Sequence, residues 1–188
     1  NYKKGSFQNR IETPMMADDV SYFSMMREFL RDKPETYPHS KTPSIKTNLK
    51  TFSSEKPSII WFGHSTYLIS IDNKKILVDP VFSQRASPVQ YAGSKAFDGS
   101  MVYAAEDFPE IDLLIISHDH YDHLDYNTIL KLNATVKKFC VPIGVGQHLN
   151  SWGVDERKIT EFDWWDSDGV IPGLQLTSTP ARHFSGRG

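Results

Sequence analysis

Apolar positions follow two different patterns along this chain, and the change between them falls near residue 55. Before it the sequence is polar and turn-rich, with Pro14, Pro34, Pro38, Pro43 and several lysines. One helical period stands out there. Val20, Phe23, Met26, Phe29 and Leu30 recur at close to helical spacing and predict an amphipathic helix from about residue 17 to residue 31. Asp18 and Asp19 suit its electropositive start, and Pro34 lies just past its end. Residues 1–55 are therefore read as an N-terminal arm whose apolar stripe docks on the main fold, which occupies residues 56–188.

From Ser58 the pattern is that of strands. Residues 58–62 and 66–71 are runs of β-forming residues broken at Gly63-His64-Ser65. Asp72-Asn73-Lys74 is a tight-turn signal, and residues 75–78 return as the next strand, which Asp79-Pro80 stops. Phe82 to Ser100 reads as a long loop carrying Arg85, Gln90 and Tyr91, and loops of that length tend to carry function. Ile111-Asp112-Leu113-Leu114-Ile115-Ile116-Ser117 is an apolar run of strand length, suited to cross a core. Asp125 fits the N-cap of a short helix reaching about Leu132, residues 139–143 form a buried strand, and residues 144–152 form a helix that Gly153 stops. Residues 159–162 and 174–179 complete the strands, the last ending at Pro180-Ala181-Arg182-His183. Strands dominate first and alternate with helices later, which predicts an α+β fold of sheets flanked by helices.

Composition narrows the function only by exclusion. A chain of 188 residues can build one core, and its net charge of -2 gives no broad basic field for nucleic acid. The single Cys140 rules out an internal disulfide framework. No apolar run is long enough to span a bilayer, and no signal peptide is evident. The chain starts at Asn1 rather than methionine, so a removed leader or anchor stays open, and the location, cytoplasmic or membrane-associated, is left undecided.

The chemistry is concentrated just after the apolar run, in His118-Asp119-His120-Tyr121-Asp122-His123. Three of the seven histidines fall in this short loop, with two aspartates between them. Imidazole nitrogens and carboxylate oxygens are the donors that divalent ions such as zinc accept. His118 and His120, two apart on extended backbone, can share one ion, while Asp122 and His123 can face a second position as the loop turns. His183 also follows a strand, and sites in open sheets gather at strand ends. As a third imidazole it would complete a catalytic type of zinc site, with one position left for water whose pKa falls to about 7. Asp79 closes a strand nearby and either hydrogen-bonds the far nitrogen of a ligand histidine or simply forms the turn before Pro80. Asp125 carries the same two readings, with the N-cap favoured. His64 either lines the site or is a hydrogen-bonded structural histidine, His39 and His148 read as surface residues, and Trp164 and Trp165 read as packing. Cys140 reads as buried and inert.

His118-x-His120-x-Asp122-His123 with His183 downstream resembles the metallo-β-lactamase superfamily. Further blocks resemble its N-acyl-phosphatidylethanolamine-hydrolysing phospholipase D family: Trp61-Phe62-Gly63-His64-Ser65-Thr66, Asp79-Pro80-Val81-Phe82-Ser83, Arg85-Ala86-Ser87-Pro88, Gln90-Tyr91, Ile116 to Asp125, Asp163-Trp164-Trp165 and Thr179-Pro180. The resemblance runs from Ser58 to His183. It implies a four-layer αββα sandwich, of which this chain supplies about the first half, and a two-zinc phosphodiesterase that uses a metal-bound hydroxide on phospholipid-like substrates. His118, His120 and His183 would hold the first zinc, and Asp122 and His123 would begin the second site. The family completes that site with a bridging aspartate and a last histidine, expected beyond Gly188. Asp122 would also orient the hydroxide or take its proton, Tyr121 would donate to the phosphate, and Gln90 and Tyr91 would lie near the substrate.

An isolated half-sandwich exposes a sheet face, so pairing as a homodimer is expected, as is inactivity of the chain on its own. Peripheral membrane contact fits a lipid substrate. Within the superfamily the rival is a metal-dependent lactonase resembling the ascorbate-6-phosphate lactonases. Outside enzymes it is a non-catalytic metal-binding module.

Overall fold

The computed structural model describes residues 2–3, 5–11, 14, 19–31, 36–185 and 187. The chain separates into two compact units, Asn1–Ser40 and Lys41–Gly188. The first holds a short antiparallel pair, Tyr2–Lys3 with Ser6–Phe7, and a helix over Tyr22–Phe29. That helix is shorter than its apolar period predicts because Ser21 caps it: Ser21 Oγ accepts from the Ser24 N–H, and Ser24 Oγ accepts from the Ser21 N–H in return. Ala17, Asp18 and Pro34, read as its flanks, lie outside the described residues. Its residues Phe23 and Met26, and Leu30 at its end, are exposed. Among the described residues no helix is long and apolar enough to cross a membrane.

Residues 41–55, which composition groups with the arm, run with the second unit. Leu49 is 1% exposed within its core, the Thr42 N–H donates to the Asp98 carbonyl, and the Thr47 N–H donates to the Tyr103 hydroxyl. A single buried leucine among polar neighbours leaves no period for sequence reading to detect.

The second unit is built on a mixed six-stranded sheet in the order Ile159–Phe162, Phe139–Pro142, Leu113–Ile115, Lys74–Val78, Thr66–Ile71 and Ser58–Gly63. The last three strands form an antiparallel meander. Its second turn places Asp72 and Asn73 at φ 48° and 59°, the left-handed backbone that a two-residue hairpin loop requires and these residue types tolerate. The other pairings are parallel. Central parallel strands must be covered on both faces, which explains why the run from Ile111 to Ile116 is almost wholly apolar. Ile111, Leu113 and Leu114 have no exposure.

On one face Leu68, Leu77, Leu114 and Phe139 pack with Ile129 and Leu132 of the helix Tyr126–Leu132 and with Leu149 of the helix Gly146–Ser151. On the other, Ile76, Val78, Leu113, Cys140 and Phe162 pack against Val170, Ile171, Leu174 and Leu176 of an antiparallel hairpin, Ser167–Ile171 with Leu174–Thr177. The first strand of that hairpin begins Ser-Asp-Gly and has no apolar alternation to reveal it. Trp165, read as packing, is instead 61% exposed. It sits at φ 73° in the turn entering the hairpin. The long segment from Phe82 to Ser100 carries one short pair, Arg85–Ala86 with Ser94–Lys95. The architecture is α+β.

Candidate metal centre

The site is set by strand register. Lys74–Val78 and Leu113–Ile115 are parallel with Val78 opposite Ile115, so the segments leaving these two strands emerge side by side at one edge. Asp79 comes directly after the first strand, and the Ser117–His123 loop comes after the second. Asp79 is 3% exposed and sits at φ 42°, a left-handed kink that an aspartate tolerates better than most residues. Its carboxylate accepts from the Ser117 N–H at 2.7 Å and from the Ser117 hydroxyl at 2.6 Å. Beyond His120 the loop turns tightly, with the His123 and Leu124 N–H groups both donating to the His120 carbonyl. Leu124, fully buried, anchors the turn in the core.

Two donor clusters result, His118 with His120 and His183, and His64 with Asp122 and His123. In each, the facing nitrogen and carboxylate oxygen atoms lie within 4.8 Å of one another. In the first, His120 Nδ1 and His183 Nε2 are 3.3 Å apart, the edge expected when two ligands sit about 2.0–2.1 Å from a tetrahedral zinc ion. His120 Nε2 is 3.0 Å from the Phe184 carbonyl, so its N–H points there and Nδ1 keeps its lone pair. His118 Nδ1 lies 2.9 Å from Ser117 Oγ, which leaves its Nε2 as donor. Burial, then the neighbouring His123, His120 and His183, push the His118 imidazole down to about 4, so it is neutral near pH 7, the form that binds a metal.

The second cluster is organised from beneath. His123 Nδ1 lies 2.8 Å from Asp79 Oδ2, which fixes the ring and leaves Nε2 toward Asp122, 3.9 Å away. His64 Nε2 lies 3.1 Å from the same Asp122 oxygen. Burial works against the charged form of Asp122, but its backbone hydrogen bond and the nearby His123, His64 and His120 hold its carboxyl below the ordinary range. Imidazoles and a carboxylate, with His118, His120 and His123 each oriented by a partner on the far side of the ring, form a donor set that fits divalent ions.

The other residues singled out from sequence fall in different places. Asp125, read either as the N-cap or as a partner of a ligand histidine with the N-cap favoured, caps the helix Tyr126–Leu132 through the Asn127 N–H and binds the Phe82 and Ser83 N–H groups and the Thr128 hydroxyl rather than a histidine. Its helix-start geometry turns the carboxylate toward that loop. Gln90, expected near the substrate, folds back on the Arg85 backbone, with Oε1 and Nε2 each 3.2 Å from it. Tyr91 is 85% exposed. Neither lines the cavity that borders the histidines, because the short pair at Arg85–Ala86 turns this loop onto itself. Tyr121 does line that cavity, and the Arg187 guanidinium stacks 4.1 Å over its ring.

The cavity, of about 750 Å³, opens beside both clusters and is bordered by His64, His120 and Asp122. Its remaining wall is largely apolar, with Trp61, Val81, Phe97, Met101 and Phe184 among its residues. Trp61, Phe97 and Phe184 come from three separate segments, so no local pattern in the sequence signals them together. His64 had a signal, a Gly-His-Ser break between two strands, but its partners are known only once the sheet is assembled.

A family model described as a beta-lactamase superfamily domain matches residues 74–188. An uncharacterized protein of Mycobacterium tuberculosis is 38% identical over all of this chain and 50% of its own length. N-acyl-phosphatidylethanolamine-hydrolyzing phospholipase D 1 of Caenorhabditis elegans is 33% identical over 137 residues, 68% of this chain and 38% of its own. The solved structure of a metallo hydrolase from the archaeon Ignicoccus hospitalis shares the fold, with a TM-score of 0.52 at 23% identity over 69% of this chain and 51% of its own. The chain spans about half the length of the curated relatives it matches. With a family model over most of its sequence and its parallel strand ends holding the motif, the chain belongs to the β-lactamase superfamily and adopts the metallo-β-lactamase-like fold.

Proposed function

We propose that this chain carries the metal-binding part of a zinc-dependent hydrolase, a phosphodiesterase of the N-acyl-phosphatidylethanolamine phospholipase D type. The observation that carries the reading is the joining of two adjacent donor clusters to one large apolar cavity. His118, His120 and His183 would hold one zinc, and Asp122 and His123 would contribute to a second. Bound zinc supplies a Lewis acid for a phosphoryl oxygen and a water acidic enough to attack at neutral pH. The chain's own residues do the rest. Asp79 and Ser117 fix the rings of His123 and His118, so little reorganisation is needed at the site. Asp122, its carboxyl held below the ordinary range and at the cavity wall, would take a proton from the attacking group. The Tyr121 side chain, also on the wall, would donate to the phosphate.

The cavity favours a lipid-like substrate over the lactone alternative. A phosphorylated lactone is small and anionic and calls for arginines or lysines. Among the described residues lining the cavity the only such cation is Lys95, whose amine lies 3.7 Å from Asp98. An acyl chain instead matches Trp61, Val81, Phe97 and Met101. A phospholipid substrate in turn implies contact with a membrane surface, and the similarity to the C. elegans phospholipase supports it.

The test is a pair of assays on the full-length protein with zinc, one on an N-acyl phospholipid and one on a phosphorylated lactone. Release of the unphosphorylated N-acylethanolamine, with the phosphate left on the diacylglycerol as phosphatidic acid, is expected, abolished by chelation and restored by zinc. Turnover of the lactone alone would end the lipid reading. Well-folded protein that binds zinc and turns over neither substrate would favour the non-catalytic metal-binding module.

A further inference from the structure

Phe184 belongs to neither apolar core, yet its backbone is tied to the three-histidine cluster. The residue before it is His183, whose Nε2 is 3.3 Å from His120 Nδ1, and the Phe184 carbonyl accepts from the His120 Nε2–H at 3.0 Å. The phenyl ring leans on both imidazoles, its centroid 4.9 Å from that of His120 and 5.2 Å from that of His183. The residue is nonetheless 58% exposed and forms part of the cavity wall. We infer that Phe184 is a specificity-determining residue that grips the first few carbons of an apolar chain carried on the reacting phosphate group. This role rests on reading the histidines as a metal site and the cavity as its substrate pocket, and it names the part of the substrate that the wall beside the metal selects.

Two imidazoles and one hydrocarbon ring in mutual contact mark the place where the polar site gives way to the apolar wall. Phe184 and His120 border the same cavity with their rings touching. A phosphate group at the cluster therefore has the first carbons of its substituent beside Phe184 rather than farther along the wall. Each methylene covered there strengthens binding several-fold, and the contact is complete after a few carbons. The bond from His120 holds the Phe184 backbone in place before any ligand arrives, so little ordering is needed on binding. Packing on the two histidines uses part of the ring and leaves the exposed remainder for a ligand to cover. The alternative is that Phe184 only seats the His120 and His183 rings. That role would be read in metal affinity and would give no preference among chain lengths.

The test is calorimetric binding of methyl-, butyl- and dodecylphosphonate to the zinc-loaded full-length protein, with the Zn²⁺ affinity of the metal-free protein measured alongside. These compounds carry the chain on phosphorus and contain no ester to hydrolyse, so binding is read without turnover. Wild type is expected to bind butylphosphonate about 10-fold or more tightly than methylphosphonate. Phe184→Ala is expected to weaken butyl- and dodecylphosphonate by the same factor, about 10-fold, and to leave methylphosphonate and Zn²⁺ affinity unchanged. Phe184→Leu, still apolar, is expected to keep most of the preference. No butyl preference in wild type, an unchanged one in Phe184→Ala, equal weakening of methyl- and butylphosphonate, or a loss confined to Zn²⁺ affinity would overturn the inference. Where the variants do not fold, nuclear Overhauser effects between the Phe184 ring and the butyl chain in wild type decide: their presence supports the contact and their absence refutes it. A protein that shows the Phe184-dependent preference yet turns over no N-acyl phospholipid loses the phospholipase reading alone, and turnover without the preference removes only the role of Phe184.

Discussion

The Asp79 carboxylate reaches from the end of one parallel strand to His123 on the loop after the next, its Oδ2 2.8 Å from His123 Nδ1. The same carboxylate holds Ser117 by backbone and hydroxyl. It is buried, and all three bonds go to the metal loop. One residue thus sets the ring angle of one candidate ligand and, through Ser117, that of His118.

Replacing it tests that dependence. Asp79→Asn keeps the shape but cannot accept at both oxygens, so one of the Ser117 and His123 bonds is lost or reversed. Zinc affinity is expected to fall about 10–100-fold by calorimetry. The apo protein is expected to lose about 1–3 kcal/mol in denaturant unfolding, since a buried polar group is left poorly satisfied. Unaltered zinc affinity in Asp79→Asn would show that the ring is positioned by other contacts.

Much of this arrangement is legible in the sequence, and the limits have physical causes. The strands around Leu113–Ile115 are readable because burial on both faces demands continuous apolar residues. The histidine loop is readable because its donors are adjacent in the chain. Hidden from the sequence is anything that depends on two strand ends meeting. Whether Asp79 turns toward His123 or merely precedes Pro80 depends on parallel register, and so does the position of His64 beside Asp122. Asp125 has two readings in the sequence, and its hydrogen bonds are those of the favoured one, the N-cap. It lies near the motif in sequence, yet its bonds go to the Phe82–Ser83 backbone and its own helix.

The acid stability of the metal-free protein carries a definite sign. His118 is held at about 4, below its ordinary 6.5, by burial and its imidazole neighbours. Above about pH 6.5 it is neutral both folded and unfolded and adds no slope. Between about 6.5 and about 4 the unfolded chain binds a proton that the folded chain does not, so stability falls as pH drops through that window. Solvent screening at this half-buried position limits the loss to roughly 1 kcal/mol. Thermal melts of the apo protein are expected to show this slope and melts of His118→Asn to show less. Equal slopes would mean the imidazole gains a proton in the folded state as easily as in water.

Cys140 lies in the parallel strand Phe139–Pro142, next to the edge strand of the sheet, is 3% exposed, and burial pushes its thiol up to about 11. Both factors remove the thiolate on which reactivity depends. In native protein at neutral pH, Ellman's reagent is expected to report no thiol over the time in which denatured protein gives about one equivalent. Rapid native labelling would mean that this strand opens far more often than its burial implies.

The segment that carries His183 is fastened to the metal loop by Arg187. That side chain donates from Nε to the Asp119 carbonyl at 2.6 Å and from its guanidinium to the Leu124 carbonyl, and it stacks on Tyr121. Asp119, Tyr121 and Leu124 all border or belong to the loop that holds His118 and His120, so the two sources of the three-histidine cluster are held together. Arg187→Ala should then weaken zinc binding at that cluster, by about 10-fold, with no ligand removed. Arg187→Lys should not restore it, because a single ammonium cannot both stack on the ring and bond two carbonyls in a plane. If the effect runs through His183, Arg187→Ala adds little to the affinity lost in His183→Ala, and the double mutant falls short of the sum of the two. Additive losses would place the action of Arg187 elsewhere, in packing against Tyr121 and Trp152 rather than in holding the histidine.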